Sequence, residues 1–152
     1  MDQLRLQDDL RRYLCLRCAG FLEQVTFVVV HDYLAQHGHG PTLAFAKSWF
    51  EHAPNLGASA FIKLVGRFGS TYQTSFETFL TPVRKATLSD LLDVRNDVAH
   101  GKHFAGQKLN PDRYVRLCEE IYDWLIETFF GDSVEVLDDE GVEVVGYERT
   151  RS

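Results

Sequence analysis

The chain contains few cysteines, prolines and methionines: three, four and one among 152 residues. Three cysteines are too few for the disulfide framework of a small secreted domain, and they favour a reducing compartment. Cys15 and Cys18 form a C-x-x-C pair, but the second pair that a zinc site usually needs is missing, because Cys118 is the only other thiol. We interpret all three as small buried hydrophobic side chains, and we predict no metal and no cofactor.

The sequence also lacks an uninterrupted apolar run of the roughly 18 residues that span a membrane. Six polar or charged residues break its most apolar stretch, 13–34, namely Arg17, Glu23, Gln24, Thr26, His31 and Asp32. The N-terminus is charged and lacks the basic-then-apolar order of a signal peptide. We therefore expect a cytoplasmic protein that does not bind membranes.

The net charge of −6 is unevenly distributed. Residues 131–152 carry seven of the 22 acidic residues and two of the 16 basic ones, so this segment has a charge of −5 and the rest of the chain about −1. Residues 95–116 include five basic residues and only two acidic ones. An overall acidic charge argues against nucleic acid as a partner, but this local basic region does not.

The length and the hydrophobic periodicity predict an all-α domain over 1–131, followed by a C-terminal segment, 132–152. In that segment apolar and polar residues alternate on both sides of "DDEG", which is typical of a β-hairpin. The segment can equally be an acidic tail. The first helix is predicted over 2–36, where "HGHGP" ends it. It has two apolar faces, so we expect other helices or a second chain to cover both.

Shorter helices are predicted in the middle of the chain. One spans 43–52, and the span 58–80 is divided into two by Gly66 and Gly69. The aromatic residues Phe45, Trp49 and Phe50 recur at helical spacing, and we interpret them as core rather than as a platform for stacking bases.

Two further helices complete the predicted domain. Ser89 or Thr87 is expected to cap the first of them, which ends at Gly101. The second begins with the cap-and-proline pair Asn110-Pro111 and ends at Gly131.

Arg95 lies in the middle of the core-facing stripe of the penultimate helix. Five apolar residues fall within about 60° of it on a helical wheel: Leu88, Leu91, Leu92, Val98 and Ala99. Because a guanidinium cannot lose its charge, it needs a negative partner there. That partner is either a buried carboxylate, for which Glu23 is the candidate, or an external anion such as phosphate.

His100 follows Arg95 by five residues, about 140° around an ideal helix, just before Gly101. Asn96 lies one turn before His100, where its amide can orient the imidazole or contact a ligand. A histidine in the last turn of a helix is otherwise simply a favourable charge for the helix dipole.

These residues resemble the signature of HEPN domains. "RNDVAHG" matches their arginine, adjacent polar residue and following histidine at Arg95, Asn96 and His100. "LRCAGFLEQV" in the first helix is similar to the RiboL-PSP branch of the family, and the helical layout is similar over residues 1–130. The alternative is a helical domain outside the family in which the motif is a coincidence.

The resemblance implies an up-and-down helical bundle that forms a homodimer, with two motifs facing each other. Many members are metal-independent endoribonucleases, often toxins or antiviral effectors controlled by an antitoxin or another regulatory protein. Other members have lost catalysis and serve as domains for dimerisation or for nucleotide or RNA binding. One toxin branch has a tyrosine where this chain has Lys102, so regulation by modification of that tyrosine is not expected.

The motif suits RNA cleavage, in which the 2′-hydroxyl attacks the adjacent phosphate. A histidine, with an ordinary pKa of about 6.5, can move the proton near neutral pH, and an arginine can stabilise the phosphorane. We expect Arg95, His100 and Asn96 to be catalytic and the product to be a 2′,3′-cyclic phosphate. The candidates for binding the RNA substrate are basic residues, Lys102, His103, Arg84 and Lys85, with Lys63 and Arg67 as further backbone contacts or simply solvated charges.

Overall fold

A computed structural model describes residues 3–52, 57–101 and 109–131. Within these ranges the chain forms α-helices and no strand, which confirms the predicted all-α bundle. The helices are α1 (Gln3–His37), α2 (Gly40–Ser48), α3 (Ala58–Gly66), α4 (Ser70–Phe79), α5 (Pro82–Ala99) and α6 (Pro111–Phe130). The predicted C-terminal hairpin lies outside the described residues.

The central element is α1, against which both α5 and α6 pack. One face of α1 is buried, and it consists of Cys15, Cys18, Ala19, Leu22, Thr26, Val29 and Val30. The other apolar face, here called the apolar stripe, is exposed and consists of Leu6, Leu10, Tyr13, Leu14, Phe21 and Val28. The sequence predicted two covered apolar faces on this helix, whereas the described part of the chain buries only one face, centred on Leu22.

The same helix is long and apolar enough to cross a membrane by length and composition. Its most apolar 18-residue window has a mean hydropathy of 1.5, and 39% of that window is buried inside the bundle. The core helix of a soluble protein has these properties too.

Aromatic side chains fill the core between α3, α4 and α6. The Phe76 ring lies 4.5 Å from that of Phe61 and 4.6 Å from that of Trp124, measured between centroids. Phe129 extends this cluster toward α1, because its ring lies 5.1 Å from that of Tyr33. These contacts are in the range in which aromatic pairs add stability beyond the area they bury.

The start of α5 differs from the prediction. The helix begins at Pro82, and its N-cap is Thr81, whose Oγ1 accepts a hydrogen bond from the Arg84 amide at 3.3 Å. The expected caps, Thr87 and Ser89, are wrong because both lie inside the helix. A capping residue followed by proline at the first helical position is the start signal at Thr81-Pro82. The same kind of signal correctly located the start of α6 at Asn110-Pro111.

The aromatic residues around α2 also differ from the prediction. The side chains of Phe45 and Trp49 are 67% and 60% exposed, so their assignment to the core is wrong. Only Phe50 is partly buried against the core. This short helix begins at Gly40, ends at Ser48 and buries no residue, because it contacts the rest of the bundle only through α1.

All three cysteines are free and buried, as predicted. Burial raises the pKa of Cys15 to about 11. The Cys118 thiol donates a hydrogen bond to the Cys18 carbonyl at 3.5 Å. A hydrogen bond with Cys18 and burial together raise the pKa of Cys118, so this thiol stays protonated in the folded chain.

Candidate functional site

The C-terminal end of α5 presents the three residues of the RN-x3-H motif. His100 caps the helix, and its amide donates a hydrogen bond to the Asn96 carbonyl at 3.0 Å. The chain then leaves the helix through Gly101, whose φ of +70° is accessible to glycine without strain. The side chains of Asn96 and His100 are exposed, so an incoming ligand can contact both.

Arg95 forms an ion pair with Glu23 of α1. The distance from Arg95 Nη2 to Glu23 Oε1 is 2.9 Å, and the two side chains are 36% and 16% exposed. Glu23 Oε1 is buried and has no hydrogen-bond partner, so the contact with Arg95 is an ion pair without an aligned hydrogen bond. Of the two partners considered from the sequence, the structure thus brings the carboxylate to the arginine.

The ion pair leaves part of the guanidinium accessible. Arginine has five N–H donors in a planar fork, and the 2.9 Å contact with Glu23 is made through Nη2. More than a third of the Arg95 side chain is exposed. A phosphate can therefore approach the remaining donors while Glu23 holds the guanidinium in place.

The two described basic candidates for substrate binding lie at the other end of α5. Arg84 is eleven residues before Arg95, about 16 Å along the helix axis. It forms an ion pair with Glu120 of α6 at 2.8 Å and donates to the Phe79 carbonyl at 2.8 Å. Lys85 is exposed in the same turn. Within one chain these residues are separate from the motif, whereas Lys102 and His103 lie outside the described residues.

A second arginine, Arg113, also links α5 and α6. It forms an ion pair with Asp90 at 2.9 Å and donates to Thr87 Oγ1 at 3.4 Å. Together with the Arg84–Glu120 ion pair it links α5 to α6, so Arg113 of the basic region stabilises the bundle. The helical wheel gives no sign of these pairs because their partners are distant in the sequence.

Two apolar depressions lie apart from the motif. A groove of about 890 Å³ between α1 and α6 is lined by part of the apolar stripe and by α6, including Leu14, Phe21, Val115 and Tyr122. An aromatic pocket of about 480 Å³ lies at the C-terminal end of α1, beside α2 and the α3–α4 turn. The sequence interpretation missed this pocket, because it assigned the aromatic residues to the core.

Over 3–52, 57–101 and 109–131, no group of three or more histidine, cysteine or acidic side chains is arranged to hold a metal ion. Comparison of the chain with models of known protein families found no match, and neither did comparison with curated proteins or with solved structures.

Proposed function

We propose that the protein is a metal-independent endoribonuclease whose reaction centre is the C-terminal end of α5. One observation carries this proposal. Glu23 holds the guanidinium of Arg95 in place, and the exposed imidazole of His100 lies five residues after it. Five residues correspond to about 7.5 Å along a helix, a separation that the length of an arginine side chain can bridge. The proposal requires a phosphate at this helix end that contacts both groups from positions about 140° apart around α5.

Each group has a distinct role in the proposed reaction. His100 accepts the proton of the RNA 2′-hydroxyl, whose oxygen then bonds to the adjacent phosphorus. The bond from phosphorus to the 5′-oxygen breaks, and that oxygen takes a proton from a second acid, leaving a 2′,3′-cyclic phosphate and a 5′-hydroxyl. Arg95 stabilises the charge that develops on the phosphate oxygens, and Asn96 orients the imidazole or the phosphate.

The proposed reaction needs a second acid to protonate the 5′-oxygen, and a second copy of the chain can supply it. If two motifs face one phosphate, one histidine acts as the base and the other as the acid. Around α1, Phe21 of the stripe lies about 200° from Glu23 and Tyr13 of the stripe about 80° from it, so the position of the stripe does not determine which surface brings the motifs together.

A second candidate function is an RNA- or nucleotide-binding domain of the same type that no longer catalyses cleavage. The Glu23–Arg95 ion pair favours it, because a guanidinium neutralised within the chain has a structural role without any substrate. In this case Arg95 supports the fold and His100 is an ordinary helix cap.

The test is cleavage of end-labelled RNA in the presence of a chelator, with product ends identified by their sensitivity to phosphatase before and after acid opening of the cyclic phosphate. We expect cyclic phosphate products from the wild type and none from His100→Ala or Arg95→Ala. His39→Ala is the matched control, because His39 is also exposed and its side chain forms no capping hydrogen bond. Binding without cleavage by the wild type would support the second candidate, and cleavage by His100→Ala at the wild-type rate would exclude the first.

The resemblance also implies a toxin or antiviral effector. We propose this role for the active form, with an antitoxin or another regulatory protein as its partner. Induced expression of the wild type is then expected to arrest bacterial growth, whereas expression of His100→Ala to the same level is not. Equal growth of the two strains would count against the toxin role without bearing on cleavage in vitro.

A further inference from the structure

The aromatic pocket combines exposed rings with a cation. Its lining comes from three parts of the chain, α1, α2 with the turn after it, and the α3–α4 turn, and comprises Leu34, Phe45, Ala46, Trp49, Phe50, Arg67 and Phe68. The Phe45 and Trp49 rings are in edge-to-face contact, with centroids 6.1 Å apart. Both side chains are more than half exposed, so a flat ligand can reach their faces.

The backbone beneath these rings is held to the bundle. His31 Nε2 of α1 lies 2.6 Å from the Phe50 carbonyl oxygen, within hydrogen-bond distance. The Trp49 amide donates to the Ala46 carbonyl at 3.3 Å, which fixes the turn after α2. The aromatic faces are thus positioned before any ligand arrives, which lowers the entropic cost of binding.

Arg67 determines which ligands this pocket accepts. Its guanidinium carbon lies 5.1 Å from the centroid of Trp49 and 5.6 Å from that of Phe50. Within the described ranges no carboxylate pairs with it, and Lys63, one helical turn earlier on α3, is also exposed. The positive charge repels cationic ligands, although aromatic faces alone would attract them. A flat ring that carries a phosphate satisfies both the aromatic surfaces and the arginine.

We propose that this pocket binds a nucleobase of single-stranded RNA, with Arg67 contacting the adjoining phosphate. Base stacking on aromatic side chains next to a basic residue is a general way to hold a single strand without regard to sequence. This inference rests on the proposed function, because it takes RNA as the ligand, and it adds an anchoring site apart from the reaction centre.

The pocket and the motif lie on the same side of α1. Leu34, which lines the pocket, is eleven residues after Glu23, which holds Arg95. Eleven residues correspond to about 16 Å along the helix and a rotation of only about 20°. At roughly 3.4 Å per stacked nucleotide, this separation corresponds to about five nucleotides. A strand anchored in the pocket can therefore extend along α1 to the reaction centre.

Binding can be measured without cleavage by using a fluorescein-labelled oligodeoxyadenylate, which has no 2′-hydroxyl, and adenosine 5′-monophosphate. We expect the nucleotide to quench the fluorescence of exposed Trp49, whereas Trp124 is packed against Phe76 and Phe79. By fluorescence anisotropy, Trp49→Ala and Arg67→Gln should each weaken oligonucleotide binding about tenfold. Trp49→Phe should keep most of the affinity because it keeps an aromatic face.

Two matched controls come from the stripe side of α1. Tyr13 and Arg17 are both exposed, and neither lines the pocket. Tyr13→Ala and Arg17→Gln should therefore bind the oligonucleotide as the wild type does. All the substituted residues are exposed, so circular dichroism should show an unchanged helical fold.

The outcomes separate this proposal from the nuclease proposal. Wild-type affinity in both Trp49→Ala and Arg67→Gln, or no quenching by the nucleotide, would overturn the pocket assignment even if His100 is shown to be catalytic. Weakened binding in the two pocket variants, with normal binding in the controls, supports the pocket even if the wild type cleaves no RNA.

Discussion

At the scale of single residues, the neighbours that a charged side chain finds in the fold determine its role. Arg95 lies on a helix face that is otherwise apolar, and the fold supplies Glu23 at 2.9 Å. Arg84, which the sequence offers as a candidate RNA contact, instead pairs with Glu120. Arg67 has no carboxylate partner in the described ranges and lies over two aromatic rings. Arg95 is thus partly buried and paired with α1, Arg84 is paired with α6, and Arg67 is accessible to a ligand.

The Glu23–Arg95 pair should contribute measurably to stability. A double-mutant cycle with Glu23→Gln, Arg95→Met and the double variant should give a coupling free energy of about 1 kcal/mol by urea unfolding. This value lies above that of most surface pairs and below that of fully buried ones, because the pair is only partly exposed.

The control for that cycle is the Asp8–Arg11 pair on the same helix, which is 3.5 Å apart and well exposed. Asp8→Asn and Arg11→Met should give a coupling close to zero because water screens the charges. Equal coupling energies in the two cycles would mean that Glu23 does not position Arg95.

Buried thiol and phenol groups with raised pKa values predict a loss of stability at high pH. Burial raises the pKa of Cys15 from 9.0 to about 11 and that of Tyr114 from 10.0 to about 12. Above about pH 9 the unfolded chain therefore loses protons that the folded chain retains, so the free energy of unfolding falls as pH rises. From about pH 8 to 10.5 the shifts of Cys15 and Tyr114 alone correspond to a loss of roughly 3 kcal/mol in urea unfolding. The raised pKa of Cys118 adds to this loss, and the lowered pKa of Cys18 opposes it.

Cys15→Ala tests the source of this effect. The alanine variant has no thiol at this position, so its stability should fall less steeply between about pH 9 and 10.5, although its stability at neutral pH is lower. A free energy of unfolding that rises in this pH range, or an identical slope in the variant, would contradict the assignment to Cys15.

At the scale of helices, the ends are determined by short local signals and the burial of each face by the neighbours. Thr81-Pro82 starts α5 and Asn110-Pro111 starts α6. In contrast, α2 buries none of its residues although it is apolar, and α1 buries one apolar face and exposes the other. An apolar face on a helix shows that burial is favourable, but it does not show that a partner exists within the chain.

The two N-caps should differ in their energetic contribution. Thr81 Oγ1 accepts a hydrogen bond from the Arg84 amide, whereas the Asn110 side chain makes no capping hydrogen bond. Thr81→Ala should therefore lower the free energy of unfolding by about 1 kcal/mol, and Asn110→Ala by less. Urea unfolding of both variants measures the difference.

Thr81→Ser completes this comparison because serine keeps the hydroxyl that caps the helix. It should retain most of the wild-type stability. If Thr81→Ser is as unstable as Thr81→Ala, then packing of the threonine methyl group, not the cap, stabilises the start of α5.

At the scale of the whole molecule, the proposed reaction needs two histidines and each chain provides one in the motif. The expected assembly is a homodimer, which light scattering after size-exclusion chromatography measures directly. A functional dimer therefore has to use the side of α5 that carries Asn96 and His100.

Mixing chains tests whether two copies share one reaction centre. When His100→Ala protein is mixed and re-equilibrated with the wild type, cleavage activity should fall as the square of the wild-type fraction, because both histidines are needed at each centre. The same mixing with His39→Ala should leave activity unchanged. A linear decrease with His100→Ala would show that each chain cleaves RNA independently.

Much of the fold and part of the site can be predicted from local patterns. Periodicity and the Gly and Pro signals located α1, α6 and the break between α3 and α4. The isolated cation at Arg95 pointed to Glu23, because both are charged residues among apolar neighbours on their own helices. These inferences succeed because each depends on residues a few positions apart, or on the high cost of an unpaired buried charge.

The sequence by itself determined the all-α architecture, the burial of the three thiols and the need of Arg95 for an anion, since helical periodicity and the cost of burying charge are properties of local segments. Only the tertiary structure decided that Arg84 pairs with Glu120 and that Phe45 and Trp49 face solvent beside Arg67. The physical reason is that exposure and ion pairing depend on which helices pack together, and residues far apart in the chain determine that packing.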